Sequence, residues 1–153
     1  MVFDTVASLL KEKGKADPIY VAPQAWVSEA VGKMNSANIG AVLVMDGPQL
    51  VGIFTERDVL VRVVGGGREP GTTKVSEVMT AAVRTVELAT PLEEALRLMS
   101  EKRHRHLPVR DGGRVHGMVS MGDVTRWVIR SQQEQVNGAI GAVKRMGMAN
   151  RRS

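Results

Sequence analysis

Gly52-Ile53-Phe54-Thr55-Glu56-Arg57-Asp58 and Gly117-Met118-Val119-Ser120-Met121-Gly122-Asp123 follow one outline: a glycine, two apolar residues, a hydroxyl and an acid three positions on. They lie 65 residues apart, and at that offset Val21 to Val59 falls on Val86 to Val124 without a gap. Identical pairs include Val21 with Val86, Glu29 with Glu94, Ala30 with Ala95, Met34 with Met99, Asp46 with Asp111, Gly52 with Gly117 and Asp58 with Asp123. A constant offset over so long a stretch marks an internal duplication.

Each copy reads as strand, helix, strand, strand, helix. In the second copy Val83 to Val86 is a short apolar strand, and Thr90-Pro91-Leu92-Glu93 has the form of a capping box with proline in the first turn. Leu92, Ala95, Leu96 and Met99 then recur at helical spacing. Leu107 to Val109 and Val115 to Val119 are strands joined by a turn at Asp111-Gly112-Gly113. The heptapeptide opens the next helix. In the first copy Ala41 to Met45 and Leu50 to Phe54 pair around Asp46-Gly47-Pro48. Ala25 stands where the capping threonine would be, so that copy's first helix is expected to start less firmly.

The sequence divides into residues 1–66, an N-terminal helix over Phe3 to Lys13 plus the first repeat; a glycine- and proline-bearing linker over 67–78, expected to be mobile; the second repeat over 79–135; and a basic tail over 136–153. One helical turn is expected within Lys74 to Met79. The last helix is expected to end near Glu134, because Gly138, Gly141 and Gly147 weaken it beyond that point.

Composition narrows the function classes. The chain has 153 residues, a formal net charge of +5 and no cysteine, which excludes disulfides and thiol chemistry and fits a cytoplasmic protein. No apolar run is long enough for a membrane span, and Asp4, Lys11, Glu12 and Lys13 give the N-terminus a pattern unlike a signal peptide. The positive charge favours an anionic partner. Aromatic residues make up only 3%, few for a single-strand nucleic-acid binder. No nucleophile stands with a base. His104, His106 and His116 share one hairpin with Asp111, but no metal-ligand motif is present. Neither catalysis nor a metal is expected.

A helix N-terminus offers unpaired N–H groups and partial positive charge, where a phosphate or ribose oxygen can sit. A first-turn carboxylate can accept two hydrogen bonds at once, which matches a ribose cis-diol. Thr55 with Asp58 and Ser120 with Asp123 supply that combination twice. The same pairs also read as ordinary helix caps. Arg103, His104, Arg105 and His106 form the densest basic cluster. Placed on a strand, the arginines point one way and the histidines the other. Arg105 or His106 could then reach a phosphate, or the cluster is a solvated strand end. The first copy has Asn38-Ile39-Gly40-Ala41 at this place, so the second copy's site is expected to hold phosphate better. Arg57, in the position of Gly122, is a further phosphate candidate.

A duplicated β-α-β-β-α unit ending in Gly-apolar-x-Thr/Ser-x-x-Asp resembles the CBS domain pair, or Bateman module, over about residues 5 to 130. Arg105-His106-Leu107-Pro108-Val109 is also similar to the family. The resemblance implies an α/β (α+β) fold of tandem repeats with pseudo-twofold symmetry, and a regulatory, non-catalytic module that binds AMP first, or ADP, ATP or NAD, between its halves. It gives Asp123 and Asp58 the ribose, and Ser120 and Thr55 the ribose or phosphate. It lays adenine against Val83, Thr85, Leu107 and Pro108 in one site and against Val21, Ala41 and Val42 in the other. It also implies a homodimer, with signalling to an effector protein that the sequence does not identify. The alternative is an accessory nucleic-acid binder using Lys144, Arg145, Arg151 and Arg152, which no recognised motif supports.

Overall fold

The computed structural model describes residues 4–14 and 18–151; Phe3 and Arg152, used in the sequence reading, lie outside them. The elements are α1 (Val6–Lys13), β1 (Tyr20–Val21), α2 (Val27–Ala37), β2 (Ala41–Asp46), β3 (Gln49–Thr55) and α3 (Glu56–Asp58, continuing π-helically through Val59–Val64). After these come α4 (Val75–Val78), β4 (Val86–Glu87), α5 (Leu92–Lys102), β5 (His106–Asp111), β6 (Arg114–Ser120) and α6 (Met121–Arg151). Two three-stranded sheets, β1-β2-β3 and β4-β5-β6, each join one parallel pair to one antiparallel hairpin. Their registers match at the repeat offset: Val21 faces Val44 as Val86 faces Val109. The irregularity after Val44 recurs after Val109. The mixed α/β fold of tandem repeats is therefore the one expected.

Each sheet buries one face against its helix. Val27, Ala30 and Met34 of α2 meet Val42, Val44 and Phe54, while Leu92, Ala95 and Met99 of α5 meet Leu107, Val109 and Val119. Each core is completed from the other side of the molecule. Val6 and Leu9 of α1 lie in the second repeat's core, and Val75 and Val78 of α4 lie in the first repeat's core. The two helices are counterparts at an offset of 69 residues, because Val6 precedes Val21 by four residues more than Val75 precedes Val86. The sequence reading placed α1 outside the repeat; the structure makes it part of the duplicated plan.

This exchange also caps the helices. In place of side-chain caps, the N–H groups of Val27 and Ser28 donate to the carbonyls of Thr73 and Pro70, and Leu92 N–H donates to the Asp4 carbonyl. The start of α2, expected to be weak because of Ala25, is held by the linker. That linker, expected to be mobile, supplies carbonyls that satisfy helix-end donors otherwise orphaned, and the Thr73 hydroxyl donates to the Glu69 carbonyl at 2.8 Å. Thr90 does not cap α5. Its hydroxyl accepts from Glu87 N–H at 3.0 Å inside a turn, and Pro91 takes the N-cap position. The short strand expected over Val83 to Val86 forms at Val86–Glu87, where Val109 and Arg110 supply partners.

The last helix does not stop at Glu134 but runs through Arg151, about 46 Å at 1.5 Å per residue. Its three glycines are spaced among good helix formers such as Ala139, Ala142, Lys144 and Arg145, which offset a cost of about 1 kcal/mol per glycine. Among the described residues no helix is long and apolar enough to cross a membrane.

Candidate functional site

Both heptapeptides end their strands in the same local structure. Thr55 Oγ1 accepts from Asp58 N–H at 3.3 Å, and Asp58 Oδ2 accepts from Thr55 N–H at 3.0 Å. Ser120 Oγ accepts from Asp123 N–H at 3.1 Å, and Asp123 Oδ2 accepts from Ser120 N–H at 2.9 Å. Each pair is a reciprocal capping box, so the cap reading holds at both openings. The acids are nearly buried, 6% exposed at Asp58 and 8% at Asp123. One oxygen of each is left to find partners elsewhere.

Those partners differ. At Asp58, Oδ1 accepts from the Thr80 hydroxyl at 3.3 Å, with the Arg62 guanidinium 3.8 Å away. The chain at Thr80 runs close over β3: Thr80 and Ile53 exchange two backbone hydrogen bonds of 2.9 Å. Gly52 allows this approach, because a Cβ there would lie 3.0 Å from the Thr80 carbonyl oxygen and closer still to Met79. At Asp123 the Lys13 ammonium donates to Oδ2 at 2.8 Å and the Arg126 guanidinium to Oδ1 at 2.7 Å. Burial pushes the Asp123 carboxyl up. The hydrogen bonds from Lys13 and the Ser120 N–H outweigh that and hold it below the ordinary carboxylate value.

A cavity of about 680 Å³ opens at Asp58. Thr55, Glu56, Arg57 and Asp58 form one wall and the second repeat forms the opposite one, with Ala82, Val83 and Arg84 before β4 and the run Lys102 to His106. At Asp123 the space is only about 150 Å³, bounded by Lys13, Arg126, Trp127 and Arg130. The basic cluster therefore joins the first repeat's acid across the pseudo-twofold, whereas the sequence reading grouped it with Asp123. The grouping changes because β5 begins only at His106. Arg103 is the left-handed C-cap of α5, at φ +56°, so Arg103 to Arg105 form a turn facing the other repeat and do not alternate along a strand. Burial pushes the His106 imidazole below its ordinary value, so it is neutral at pH 7; Glu56 opposes that shift.

Of the residues nominated from sequence, Thr55, Arg57, Asp58, Val83, Arg105 and His106 line this cavity together. Val21, Ala41, Val42, Leu107 and Pro108 are buried in the two halves and do not reach its wall. Val21, Val42 and Leu107 sit on the core faces of their strands, while Ala41 and Pro108, next to them in sequence, are buried on the opposite face. Thr85 is half-buried outside the wall, and Ser120 remains with Asp123 on the other side. Residues not nominated include Gly40, Ile53, Arg62, Thr80 and Arg84. Gly40 carried the only local signal, a glycine opposite the basic run in the repeat alignment: a Cβ there would lie 2.6 Å from Glu56 Oε1. Trp127 donates to Asp4 Oδ2 at 2.9 Å, which gives it a role in fastening the chain start to α6. Among the described residues no three His, Asp or Glu side chains come together as a metal site.

The CBS domain model matches residues 10–65 and 75–130, one match for each half. The chain belongs to the CBS-domain family. This CBS pair is 38% identical over 141 residues to the mitochondrial CBS domain-containing protein CBSX3 of Arabidopsis thaliana, covering 86% of this chain and 68% of that protein. A solved structure of a protein with CBS domains from Burkholderia ambifaria is 42% identical, with a TM-score of 0.79 over 84% of this chain and 96% of that one. A CBS domain protein from Pyrobaculum aerophilum, solved in complex with AMP, shares the fold at a TM-score of 0.69 over 78% of this chain and 89% of that one, with 20% identity. The chain is thus a CBS pair of the regulatory kind.

Proposed function

We propose that this CBS pair is a sensor that binds an adenine nucleotide in the Asp58 cavity without turning it over, and that a separate effector protein reads the bound state. One observation carries the reading: a ribose-competent carboxylate and a group of cations line the same cavity. Its volume lies in the range of about 300–1,000 Å³ usual for small-molecule sites. Asp58 Oδ1, held by a long hydrogen bond from Thr80 and a loose ion pair with Arg62 at 3.8 Å, accepts from the ribose hydroxyls. Thr55 stands beside it; Ile53, Ala82 and Val83 give the base an apolar wall; Arg57, Arg105 and His106 face the phosphate. The complex with AMP of the Pyrobaculum protein supports an adenosyl ligand on this fold. Asp123, with Ser120 capping beside it, borders the second, smaller cleft.

The proposal extends to a homodimeric module in a reducing cytoplasm, with repeats over 1–66 and 79–135 joined through 67–78. Because each half's core contains a helix from the other, a ligand that bridges the halves can bias their relation, and a partner responds to that bias.

Native mass spectrometry of freshly purified protein tests the reading. A retained adenine nucleotide is expected. The Asp58→Asn variant, which keeps an oxygen for Thr55 N–H, should lose about tenfold or more in affinity, the scale of one charge-assisted hydrogen bond. If adenosine, AMP, ADP, ATP and NAD all fail to bind, the reading is wrong.

A further inference from the structure

The Asp58 cavity carries more positive charge than one phosphate group needs. Arg57, Arg62, Arg84, Lys102, Arg103 and Arg105 line it, against the carboxylates of Glu56 and Asp58. Arg62 is already engaged: it donates to the Val78 and Met79 carbonyls and lies near Asp58. Among the described residues no ion pair includes any of the other five, and all five are exposed. They come from three separate stretches: the first turn of α3, the approach to β4, and the α5–β5 turn. Such a convergence of like charges repels itself unless an anion joins it.

Arg103 adds an independent observation. At the equivalent C-cap of α2 the chain places Asn38, at φ 53°, a residue type that tolerates the left-handed region. Repeat 2 places arginine there at φ +56°. A long side chain at a position suited to asparagine or glycine costs conformational energy, and strain of that kind collects where a side chain is needed for function. The turn directs Arg103 and Arg105 to the wall opposite Asp58.

A terminal phosphate carries a charge of about −2 and needs at most two or three of these groups. We propose that the cavity selects adenosine polyphosphates over the monophosphate, with the phosphate chain running from Arg57 beside the ribose site across to Arg103, Arg105 and Arg84 in the second repeat. This rests on the nucleotide reading above and deepens it. It makes the phosphate chain the element that ties the two halves together, and the number of phosphates the quantity sensed.

Isothermal titration of the full chain in EDTA at fixed ionic strength, with adenosine, AMP, ADP, ATP and inorganic tripolyphosphate, tests the proposal. The dissociation constant should fall with each added phosphate, by at least about tenfold from AMP to ATP, the effect of one further charge-assisted contact. Tripolyphosphate alone should compete with ATP. The Arg84→Ala/Arg103→Asn variant, which changes only exposed side chains outside the monophosphate contacts and relieves the backbone at Arg103, should keep its melting temperature and its AMP affinity while losing the preference for ATP. AMP binding as tightly as ATP, or a variant that retains the preference, overturns the proposal and leaves the nucleotide reading standing. Tripolyphosphate binding without any adenosine compound overturns both.

Discussion

Asp58 and Asp123 occupy equivalent places in the two repeats, close equivalent capping boxes and are almost equally buried, yet one borders a large cavity and the other a small one. The difference comes from the stretch that crosses from the opposite side. Over the first repeat it is backbone: Thr80 pairs with Ile53 and offers Asp58 only a hydroxyl at 3.3 Å. Over the second it is a long side chain: Lys13 reaches both the Met118 carbonyl and Asp123. Met118 is the counterpart of Ile53, so Lys13 makes with an ammonium the two contacts that Thr80 makes with its amide and hydroxyl. A hydroxyl and an arginine no nearer than 3.8 Å leave Asp58 more open to a ligand than the lysine and arginine that hold Asp123 at 2.8 and 2.7 Å. Duplication fixed the positions of the two acids, and the crossing segments decided which of them borders the larger cavity.

The sharpest way to break the comparison is to attack the crossing helices. Leu9 of α1 is fully enclosed in the second repeat's core. Leu9→Ala should cost about 2–5 kcal/mol of stability. Its local effect should appear far along the chain, as faster hydrogen exchange in β5 and β6. Val78→Ala, in the first repeat's core, should instead loosen β2 and β3, and by less because fewer atoms are lost. If Leu9→Ala sped exchange mainly in β2 and β3, the exchange of helices between halves would be refuted.

The duplicated part of this plan was legible because both copies preserve it at one offset: the stripe Val27, Ala30, Met34 and its counterpart Leu92, Ala95, Met99, the two hairpins, and the two helix openings. The crossing helices were not legible as a pair. Val6 and Leu9 match Val75 and Val78 at 69 residues, and the four extra residues hide the match from a scan at a single offset. The cavity was legible only in parts. Asp58 and Arg105 could each be nominated from local chemistry, but their meeting is a tertiary fact that strand alternation around Arg103 obscured. Thr90 misled for a local reason, since a hydroxyl before proline serves a turn as readily as a helix.

A smaller effect sharpens the contrast at the acids themselves. Lys13→Met removes the ammonium from Asp123 and should lower stability by about 1 kcal/mol or less, the scale for a pair with one solvent-facing partner. The sign with pH is fixed by the depressed Asp123 carboxyl. Stability drawn from the pair is present above the unfolded carboxyl's value and disappears as pH falls through the folded one. The gap between wild type and variant in urea midpoint should therefore be largest at neutral pH and shrink under acid. Nucleotide affinity at Asp58 should not change. A gap independent of pH would mean that Lys13 acts by packing alone.

The smallest expected effect concerns His106, which lies between the two openings with Glu56, Arg105, Asp123 and Lys13 around it. Burial holds the imidazole below its ordinary value, so folding favours its neutral form. As pH falls through the ordinary histidine range, the unfolded chain takes up the proton before the folded one, and stability declines. The protonated ring, once formed in the folded chain, adds a cation to the cavity wall. Mild acidification should therefore lower the melting temperature slightly while tightening the binding of a phosphate-bearing ligand, two trends of opposite sign. His106→Gln should flatten both over the same range. Melting temperature and ligand affinity followed together between about pH 7.5 and 5.5 distinguish this from the acid loss at Asp123, which lies lower. Unaltered trends in the variant would assign them to other groups and leave His106 a packing residue of the cleft.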